Sequence, residues 1–439
     1  MPTRILRSRH DREIARLAIP SLGALVAEPL YILADTAVVG RLGTEELAGL
    51  AVASAALLTG YAVFIFLAYG TTAAVSRLLG AGREGEAARQ AVQALWLALL
   101  IGLAVAGVVG LAAPRILSVL GAEGEVAAHG LVYLRVSLYG VPFQLLVFAG
   151  TGYLRGLQDT RTPLVVAVVA SLANLLLELL LIPVLGFGIG ASALSTVVAQ
   201  VGSAAVFITL ILRATSHLGA PMRPDWRLIR RLAVVGGELL IRTLALRAAL
   251  TLATAVAVRI GTAEVAAHEI AFAIWSLLAL ALDALAIAGQ ALIGRHLGAD
   301  DPALAREVGG RMITLGLAAG VLLGLMVLGL RPVLPTVFSS DPSVVALAGF
   351  LLVWVVVLQP LNGLVFVLDG LLIGAGDMAF LAWAMVGAAA TFAIPALAVL
   401  RLGLGVGWLW GAIAVLMASR ATALWWRWRS GAWVVTGAP

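Results

Sequence analysis

The residues best suited to chemistry are a few polar side chains inside long apolar segments. Asp35, Asn174, Glu178 and Thr196 each interrupt such a segment. Asn174 and Glu178 are four residues apart, so they share one face of a helix. Two carboxyl groups held together away from water can bind and exchange a proton near neutral pH. The four residues are therefore predicted to form a proton-coupling site, and the alternative is a buried polar network in which they satisfy one another.

The segment that carries Asp35 has two further features. Glu28 lies seven residues before Asp35, on nearly the same helical face. Pro20 and Pro29 interrupt the same segment, and proline removes a backbone hydrogen bond and kinks a helix. The pattern predicts a helix that can bend while it carries the acid, and a static kink is the alternative.

A second group of charged residues lies within the apolar segments of the second half of the chain. Glu238 and Arg242, four residues apart, could pair within one helix. A charge at the centre of a bilayer costs roughly 2.5–3.5 kcal/mol on insertion scales, so such residues usually have a partner or a function. A mutually neutralised network is favoured over a second ion site. The members of this group are Glu238, Arg242, Arg247, Asp283 and Asp369.

Composition places these groups in a membrane protein. Of 439 residues, 62% are hydrophobic and only 12% are charged, whereas about 25% are charged in soluble domains. The mean hydropathy is +1.06. These values exclude a soluble enzyme, a nucleic-acid binder and a disordered chain. With no cysteine, no paired histidines and no nucleotide-binding motif, we expect no metal and no cofactor beyond a coupling ion.

Twelve segments are apolar and long enough to span a bilayer as helices, since about 20 residues suffice. They cover approximately residues 14–39, 46–76, 90–112, 126–149, 163–183, 189–212, 228–258, 264–294, 308–330, 344–372, 378–400 and 406–426. The alternation typical of a membrane β-barrel is absent from the sequence. The predicted fold class is an all-α integral membrane protein.

The distribution of arginine predicts the orientation. With the N-terminus inside, 21 of the 29 arginines fall in cytoplasmic segments, 5 on the opposite side and 3 within helices. The cytoplasmic set includes Arg4, Arg7, Arg77, Arg155 and Arg420. This bias follows the positive-inside rule and predicts that both termini are cytoplasmic. Arginine without lysine, and the abundance of Ala, Gly and Leu, favour a bacterial plasma membrane.

The chain also repeats itself at a shift of 218 residues. Gly43-Thr44 recurs as Gly261-Thr262, and the segment 154–159 recurs as 372–377. Each half contains six helices, so the halves are predicted to be bundles related by a pseudo-two-fold axis along the membrane normal. The predicted lobes are 1–212 and 228–439, with a cytoplasmic linker at 213–227. Two such bundles are typical of an alternating-access transporter.

The repeat also separates shared residues from unshared ones. Asp35 corresponds to Ala253 at this shift, and Glu178 corresponds to Pro395 at a shift of 217 residues, which applies to the later part of the repeat. A membrane acid found in only one half is not needed by the scaffold that both halves share. This difference favours a functional role for Asp35 and Glu178.

Four segments resemble the multidrug and toxic compound extrusion (MATE) family, in its DinF-like branch. The segment 28–43, EPLYILADTAVVGRLG, resembles the family's first-helix signature. The segments 155–160, 288–292 and 368–371 support it. The resemblance covers essentially the whole chain and implies twelve helices in two lobes.

The resemblance implies a function and roles for individual residues. Family members export organic cations or other amphipathic compounds in exchange for H⁺ or Na⁺. Asp35 matches the family's coupling acid. The partners of that acid are matched by Asn174, Glu178 and Thr196. Pro20 matches a proline at which the first helix bends. Glu178 stands where relatives carry Asp. Some relatives bind Na⁺ at two acids of the second lobe, for which Glu238 and Asp369 are the candidates.

Several functions remain open. The leading hypothesis is a proton-coupled efflux antiporter for small amphipathic or cationic substrates. The protein is expected to act as a monomer, to contact membrane lipids and to bind no nucleic acid. A Na⁺-coupled antiporter and a flippase of lipid-linked precursors are the alternatives. An intramembrane prenyl-transfer enzyme would need clustered Asp-rich motifs, which this sequence lacks.

Overall fold

The computed structural model describes residues 8–438, so the predicted cytoplasmic residues Arg4 and Arg7 lie outside the described residues. The described chain consists of helices and connecting turns, without a strand in that range. The helices are α1 (Asp11–Val39), α2 (Thr44–Phe64), α3 (Phe66–Gly80), α4 (Glu84–Val119), α5 (Gly124–Leu138), α6 (Val141–Gly156), α7 (Arg161–Leu179), α8 (Ile189–His217), α9 (Trp226–Ile260), α10 (Thr262–Gly298), α11 (Pro302–Leu330), α12 (Leu334–Phe338), α13 (Pro342–Gly374), α14 (Met378–Arg401) and α15 (Val406–Ser430). A π-helical turn, Leu180–Val184, follows α7.

The predicted all-α membrane fold is confirmed. Eleven described segments are long and apolar enough to cross a membrane, with α2 and α3 counted together. The bent pair of α5 and α6 supplies the twelfth when it is counted as one span. The predicted segments 46–76 and 126–149 are each two helices rather than one. The second break, a 49° bend, precedes Pro142 at the start of α6, where proline is tolerated because the first turn needs no N–H donor.

Residues Ile19–Gly236 form one compact unit. Glycine allows close approach between its helices, as is common where lipid provides no hydrophobic drive for packing. A Cβ on Gly152 of α6 would lie 2.5 Å from the carbonyl oxygen of Ala68 in α3. The Thr72 hydroxyl donates to the Gly152 carbonyl at 3.2 Å. This packing holds α3 and α6 rigidly beside the helices of the candidate site.

Residues 8–18 and Gly237–Gly437 form the other compact unit. Helix α11 carries glycines at every fourth position, 316, 320 and 324, and this stripe faces α13. A Cβ on Gly316 would lie 2.7 Å from the carbonyl oxygen of Gly363. Backbone therefore packs on backbone along three turns of α11.

The division between the units falls inside α1, between Ala18 and Ile19, next to Pro20. The lobe limits expected from the repeat, 1–212 and 228–439 with a linker at 213–227, stay a prediction. Part of that linker is helical, because α8 continues to His217 and α9 begins at Trp226.

The glycine stripe generates a stability prediction. In Gly320→Ala the new Cβ would meet Pro360 Cα at 2.8 Å and the Gln359 carbonyl carbon at 2.9 Å, both rigid backbone atoms. Overpacking of this kind costs about 1–3 kcal/mol. We expect a lower unfolding temperature for the detergent-solubilised protein, measured by tryptophan fluorescence during heating.

Gly310→Ala is the matched control, because Gly310 lies on the same helix and a Cβ there meets nothing within 4 Å. This control should unfold at the wild-type temperature or slightly above it, since alanine restricts the unfolded chain. Equal destabilisation by both substitutions would contradict the packing role of Gly320.

Candidate functional site

The unit formed by Ile19–Gly236 contains a cavity of about 510 Å³. Helices α1, α2, α5, α6, α7 and α8 all contribute to its wall. Most lining side chains are apolar or small, and three are the tyrosines Tyr31, Tyr61 and Tyr133. The charged groups among the described lining residues are the carboxyls of Glu28 and Asp35, with no basic side chain beside them. The cavity is therefore an aromatic and acidic site.

Asp35 lies at one end of this cavity and is almost fully buried, with 5% of its surface exposed. The Ser192 hydroxyl of α8 donates to Asp35 Oδ1 at 2.5 Å. A hydrogen bond to a charged acceptor is short and strong, so Ser192 favours the ionised carboxylate. Helices α1 and α8 thus meet at the predicted coupling acid.

Glu178 of α7 adjoins Asp35 and Ser192 and is completely buried. Neither of its carboxyl oxygens makes a well-formed hydrogen bond to a described residue, and its polar neighbours include the Asp35 carboxyl and the Ser192 hydroxyl. A buried carboxylate without a partner costs several kcal/mol, so this position favours a neutral carboxyl or a bound cation. The Asp35–Glu178 pair is consequently the part of the unit that would be stabilised most by one added positive charge, whether a proton or a bound cation.

Asn174 and Thr196 form a network beside this pair. The Asn174 amide donates to Thr196 Oγ1 at 3.0 Å and more weakly to the Tyr31 hydroxyl at 3.4 Å. The Tyr31 and Thr196 hydroxyls are 2.7 Å apart. Ser195 donates to the Asn174 carbonyl oxygen at 3.4 Å. The four residues predicted from spacing lie together, and Tyr31 connects them to the cavity.

Sequence reasoning missed Tyr31 and Ser192, although their spacing contains the signal. Tyr31 precedes Asp35 by four residues, and Ser192 precedes Thr196 by four. Each pair therefore lies on one face of its helix. A search of the helical face around each predicted acid and threonine would have found both.

The π-helical turn that follows Glu178 was also missed. It spans Leu180–Val184 and contains Pro183. Proline cannot donate the regular helical hydrogen bond, and π-helical turns often accompany functional sites. The irregularity begins two residues after Glu178 and ends α7 beside the carboxyl pair.

The other helix-1 residues have separate positions. Glu28 faces the cavity and is exposed to it. Pro20 and Pro29 both lie inside α1, which continues through them from Asp11 to Val39. Glu28 can thus act on a molecule in the cavity, while bending at the prolines stays a prediction.

The unit that contains Gly237–Gly437 pairs its buried charges across helices. Asp369 of α13, which is 7% exposed, forms ion pairs with Arg242 of α9 and with Arg420 of α15. The Arg420 guanidinium lies 3.3 Å from Asp369 Oδ2. The structure thus gives Arg242 a partner on another helix, and the pairing with Glu238 within α9 stays a prediction. A neutralised network, rather than an open cation site, surrounds Asp369.

Arg420 lies within helix α15, and its predicted place on the cytoplasmic side stays a prediction. Helix α15 continues to Ser430, ten residues beyond Arg420, which corresponds to about 15 Å of helix. Arg420 is 5% exposed. Arg77 and Arg155 are also buried, and they lie in the last turns of helices α3 and α6.

The remaining members of the second predicted group are dispersed. Glu238 on α9 and Asp283 on α10 are half-buried, and Arg247 is exposed. Asp377, at the start of α14, forms a two-point pair with Arg427 of α15 at 2.6 and 3.0 Å. Within residues 8–438, no three His, Asp or Glu side chains are arranged to hold a metal ion.

The arginine pairs generate a second stability prediction. Asp369→Asn removes the carboxylate that two buried guanidiniums share, and breaking a buried ion pair typically costs about 3–5 kcal/mol. We expect a marked fall in the thermal unfolding temperature of the purified protein.

Glu307→Gln is the control for this change, because Glu307 pairs with Arg9 on the surface, where their side chains are 52% and 70% exposed. Surface pairs contribute about 0–1 kcal/mol. Similar unfolding temperatures for the two variants would show that Asp369 is not structurally important.

Comparison with known proteins agrees with this geometry. The MatE family model matches residues 20–180 and 241–399, well over half of the chain. The chain is 31% identical to Protein DETOXIFICATION 43 of Arabidopsis thaliana, over 94% of this chain and 90% of that protein. It is 28% identical to DNA damage-inducible protein F of Escherichia coli K12, over 96% and 94% of the two chains.

The fold is also that of a solved transporter structure. A MOP superfamily transporter from Pyrococcus furiosus superposes with a TM-score of 0.87 at 22% identity, over 98% of both chains. The all-helical membrane architecture, the cavity with its carboxyl pair and the family match agree, and the chain belongs to the MatE family of multidrug efflux transporters.

Proposed function

We propose that this protein is a secondary active antiporter that exports organic, often cationic, compounds in exchange for H⁺ by alternating access. The observation that carries the proposal is the buried Asp35–Glu178 pair beside an acidic cavity. The Ser192 hydroxyl donates a short hydrogen bond to Asp35, whereas neither Glu178 oxygen makes a well-formed hydrogen bond to a described residue. The pair is therefore able to hold one proton between two carboxyl groups.

The exchange follows from the charge of this pair. With Asp35 ionised, the cavity attracts a cation and stabilises it against the faces of Tyr31 and Tyr61, as aromatic rings do for organic cations. A proton that arrives from outside adds to an Asp35 carboxylate oxygen and removes that charge. The cation then binds less tightly and leaves outward. Loss of the proton to the cytoplasm restores the carboxylate and completes the cycle.

The lining also indicates the substrate class and the oligomeric state. A volume of about 510 Å³ lies within the range of drug-sized ligand sites. Glu28 adds a second carboxyl on the same wall. These features support small amphipathic or cationic substrates. Because residues of a single chain line the cavity, a monomer is sufficient for transport.

Na⁺ coupling is the second candidate, and one feature favours it. The carboxyls of Asp35 and Glu178 and the hydroxyl of Ser192 adjoin one another, and Na⁺, like other hard cations, prefers oxygen ligands. The unpaired Glu178 oxygens could serve a metal ion as well as a proton. The transport assay described below distinguishes coupling to Na⁺ from coupling to H⁺.

A flippase of lipid-linked precursors fits the cavity less well. Such lipids carry phosphate groups, which arginine and lysine bind. Among the described residues that line the cavity, none is basic and two are acidic. Charge complementarity thus supports a cationic substrate, and nothing in the cavity favours catalysis over transport.

The proposed setting is a bacterial plasma membrane with both chain termini in the cytoplasm. The support is the arginine distribution along the sequence, which follows the positive-inside rule. A native chain without cysteine is convenient for testing this, because a single cysteine introduced near either terminus can be labelled from one side only.

The first functional prediction concerns Asp35→Asn. This change keeps the size of the side chain but removes the ionisable group. We expect dye transport driven by a pH gradient in proteoliposomes to fall by about tenfold or more, a loss of at least about 1.4 kcal/mol of coupling. Binding of the same dye to solubilised protein should weaken but stay measurable, because the tyrosines and Glu28 remain.

The same assay decides between coupling ions. For the wild-type protein, a pH gradient should drive transport, and a Na⁺ gradient at equal pH should not. Glu307→Gln, a surface change in the unit that does not contain the cavity, is the control and should transport normally. Full activity of Asp35→Asn, or transport driven by Na⁺ alone, would overturn proton coupling.

A second prediction concerns Glu28→Gln. Glu28 lies in the cavity wall, seven residues before Asp35 on α1, so removing its charge should weaken the binding of cations without removing proton coupling. We expect the KM for a cationic dye to rise by about tenfold, as for loss of one charge-assisted contact, while a neutral substrate is unaffected. Equal changes for both substrates would contradict a charge-selective role.

A further inference from the structure

The connection between α8 and α9 is strongly basic and exposed. Residues 213–234 contain five arginines and a single acid, Asp225. All five guanidinium-bearing residues are exposed to solvent: Arg213, Arg223, Arg227, Arg230 and Arg231. Such a surface has an excess of positive charge that the segment itself does not neutralise.

The carboxylate of Asp225, the one acid of the segment, is hydrogen-bonded to backbone N–H groups and to Arg89 of α4, so it does not pair with the arginine side chains of the segment. Its Oδ1 accepts the backbone N–H of Arg227 at 3.0 Å and of Leu228 at 3.4 Å, which caps the start of α9. Its Oδ2 accepts the Arg89 guanidinium of α4 at 2.6 Å. The Leu228 and Arg227 N–H groups, helped by Arg89, hold the pKa of Asp225 below its ordinary value. Asp225 therefore stays ionised and bound to these groups at physiological pH.

Helix α4 holds the connection in a fixed position. The Gln93 side chain donates to the Arg223 carbonyl oxygen at 3.1 Å and accepts the Asp225 N–H at 2.7 Å. The Trp96 indole N–H donates to the Met222 carbonyl oxygen at 3.2 Å. Side chains of α4 thus hold the backbone just before α9 in place, while the arginine side chains of α9 remain exposed.

The first turns of α9 combine these charges with apolar groups. Arg227, Arg230 and Arg231 have the i, i+3 and i+4 spacing that makes side chains neighbours on a helix. Trp226 is 65% exposed, and Val234, about 12 Å further along the helix, is 58% exposed. Tryptophan prefers the boundary between lipid headgroups and acyl chains. We call the surface formed by Trp226, Arg227, Arg230, Arg231 and Val234 the α9 basic face.

A phosphate group fits this arrangement. A guanidinium can donate two parallel hydrogen bonds to a phosphate, and neighbouring arginines can hold one phosphate from two sides. Val234 and Trp226 offer apolar contacts to an acyl chain on the same face. The positive-inside rule explains the excess of arginine on one side of the membrane, but it requires neither an exposed tryptophan among the arginines nor an anchored backbone.

We infer that the α9 basic face binds the headgroup of an anionic phospholipid, with the phosphate between Arg227, Arg230 and Arg231 and the acyl chains beside Trp226 and Val234. Basic residues near an anionic membrane surface are attracted to it electrostatically. This inference concerns the outer surface of the protein and is independent of the coupling ion and of the transported substrate.

Native mass spectrometry of the full-length protein in detergent tests the inference. The probes are phosphatidylglycerol and phosphatidylcholine with identical acyl chains, titrated separately. We expect phosphatidylglycerol to bind the wild-type protein about tenfold more tightly. The variant R227Q/R230Q/R231Q should bind both lipids equally weakly, and salt should weaken only phosphatidylglycerol binding to the wild-type protein.

The control variant R115Q/R259Q/R401Q removes the same charge from three exposed arginines elsewhere and should retain the preference. If the triple variant of α9 does not fold, R230Q/R231Q is measured instead and should lose about threefold or more in affinity. Equal binding of the two lipids by the wild-type protein overturns the inference, as does an unchanged preference in the α9 variant. Displacement of the lipid by inorganic phosphate at equal concentration would also overturn it, since the site would then recognise phosphate alone.

Discussion

The absence of water in a bilayer is the constraint on which the structure depends. A polar group in the membrane must find its partner within the protein, or it costs several kcal/mol. Asp369 meets this requirement with two guanidiniums, and Asn174 meets it with hydroxyls from α1 and α8. Glu178 meets it poorly, because neither of its oxygens makes a well-formed hydrogen bond within the described part of the chain. This exception is what supports a role for the carboxyl pair in binding a mobile positive charge.

The two halves of the repeat satisfy this requirement for buried polar groups in different ways. The first half has Asp35 and Glu178 at positions where the second half has Ala253 and Pro395. The unit that contains the second half has its strongest buried charge cluster at Asp369, where fixed arginines supply the positive charge. A fixed counter-charge stabilises a fold, whereas a missing one leaves a place for a transported ion. The duplication thus supplies one scaffold that serves two electrostatic purposes.

Helical periodicity explains how much of this could be predicted from the sequence. Asn174, Glu178, Asp35 and Thr196 were predictable because they interrupt apolar helices and because i, i+4 spacing fixes their faces. The helix limits were predictable from hydropathy, apart from breaks such as the one at Ile65. The Arg420–Asp369 pair was not predictable, because 51 residues separate its members and local spacing carries no information about contacts between helices. The π-helical turn after Glu178 was hidden for a related reason, since Pro183 predicts an irregularity but not its type.

Tyr31 connects the two functions that the proposal assigns to α1. Its ring lines the cavity, and its hydroxyl lies 2.7 Å from Thr196, which in turn accepts from Asn174. Asp35 follows Tyr31 by one helical turn on the same face. A cation beside the Tyr31 ring would therefore lie about one turn from Asp35, close enough for the ionised carboxylate to attract it strongly in a medium of low dielectric, and a proton on Asp35 removes that attraction. Exchange of the cation for the proton requires no long-range signal, because both compete for the negative charge of Asp35.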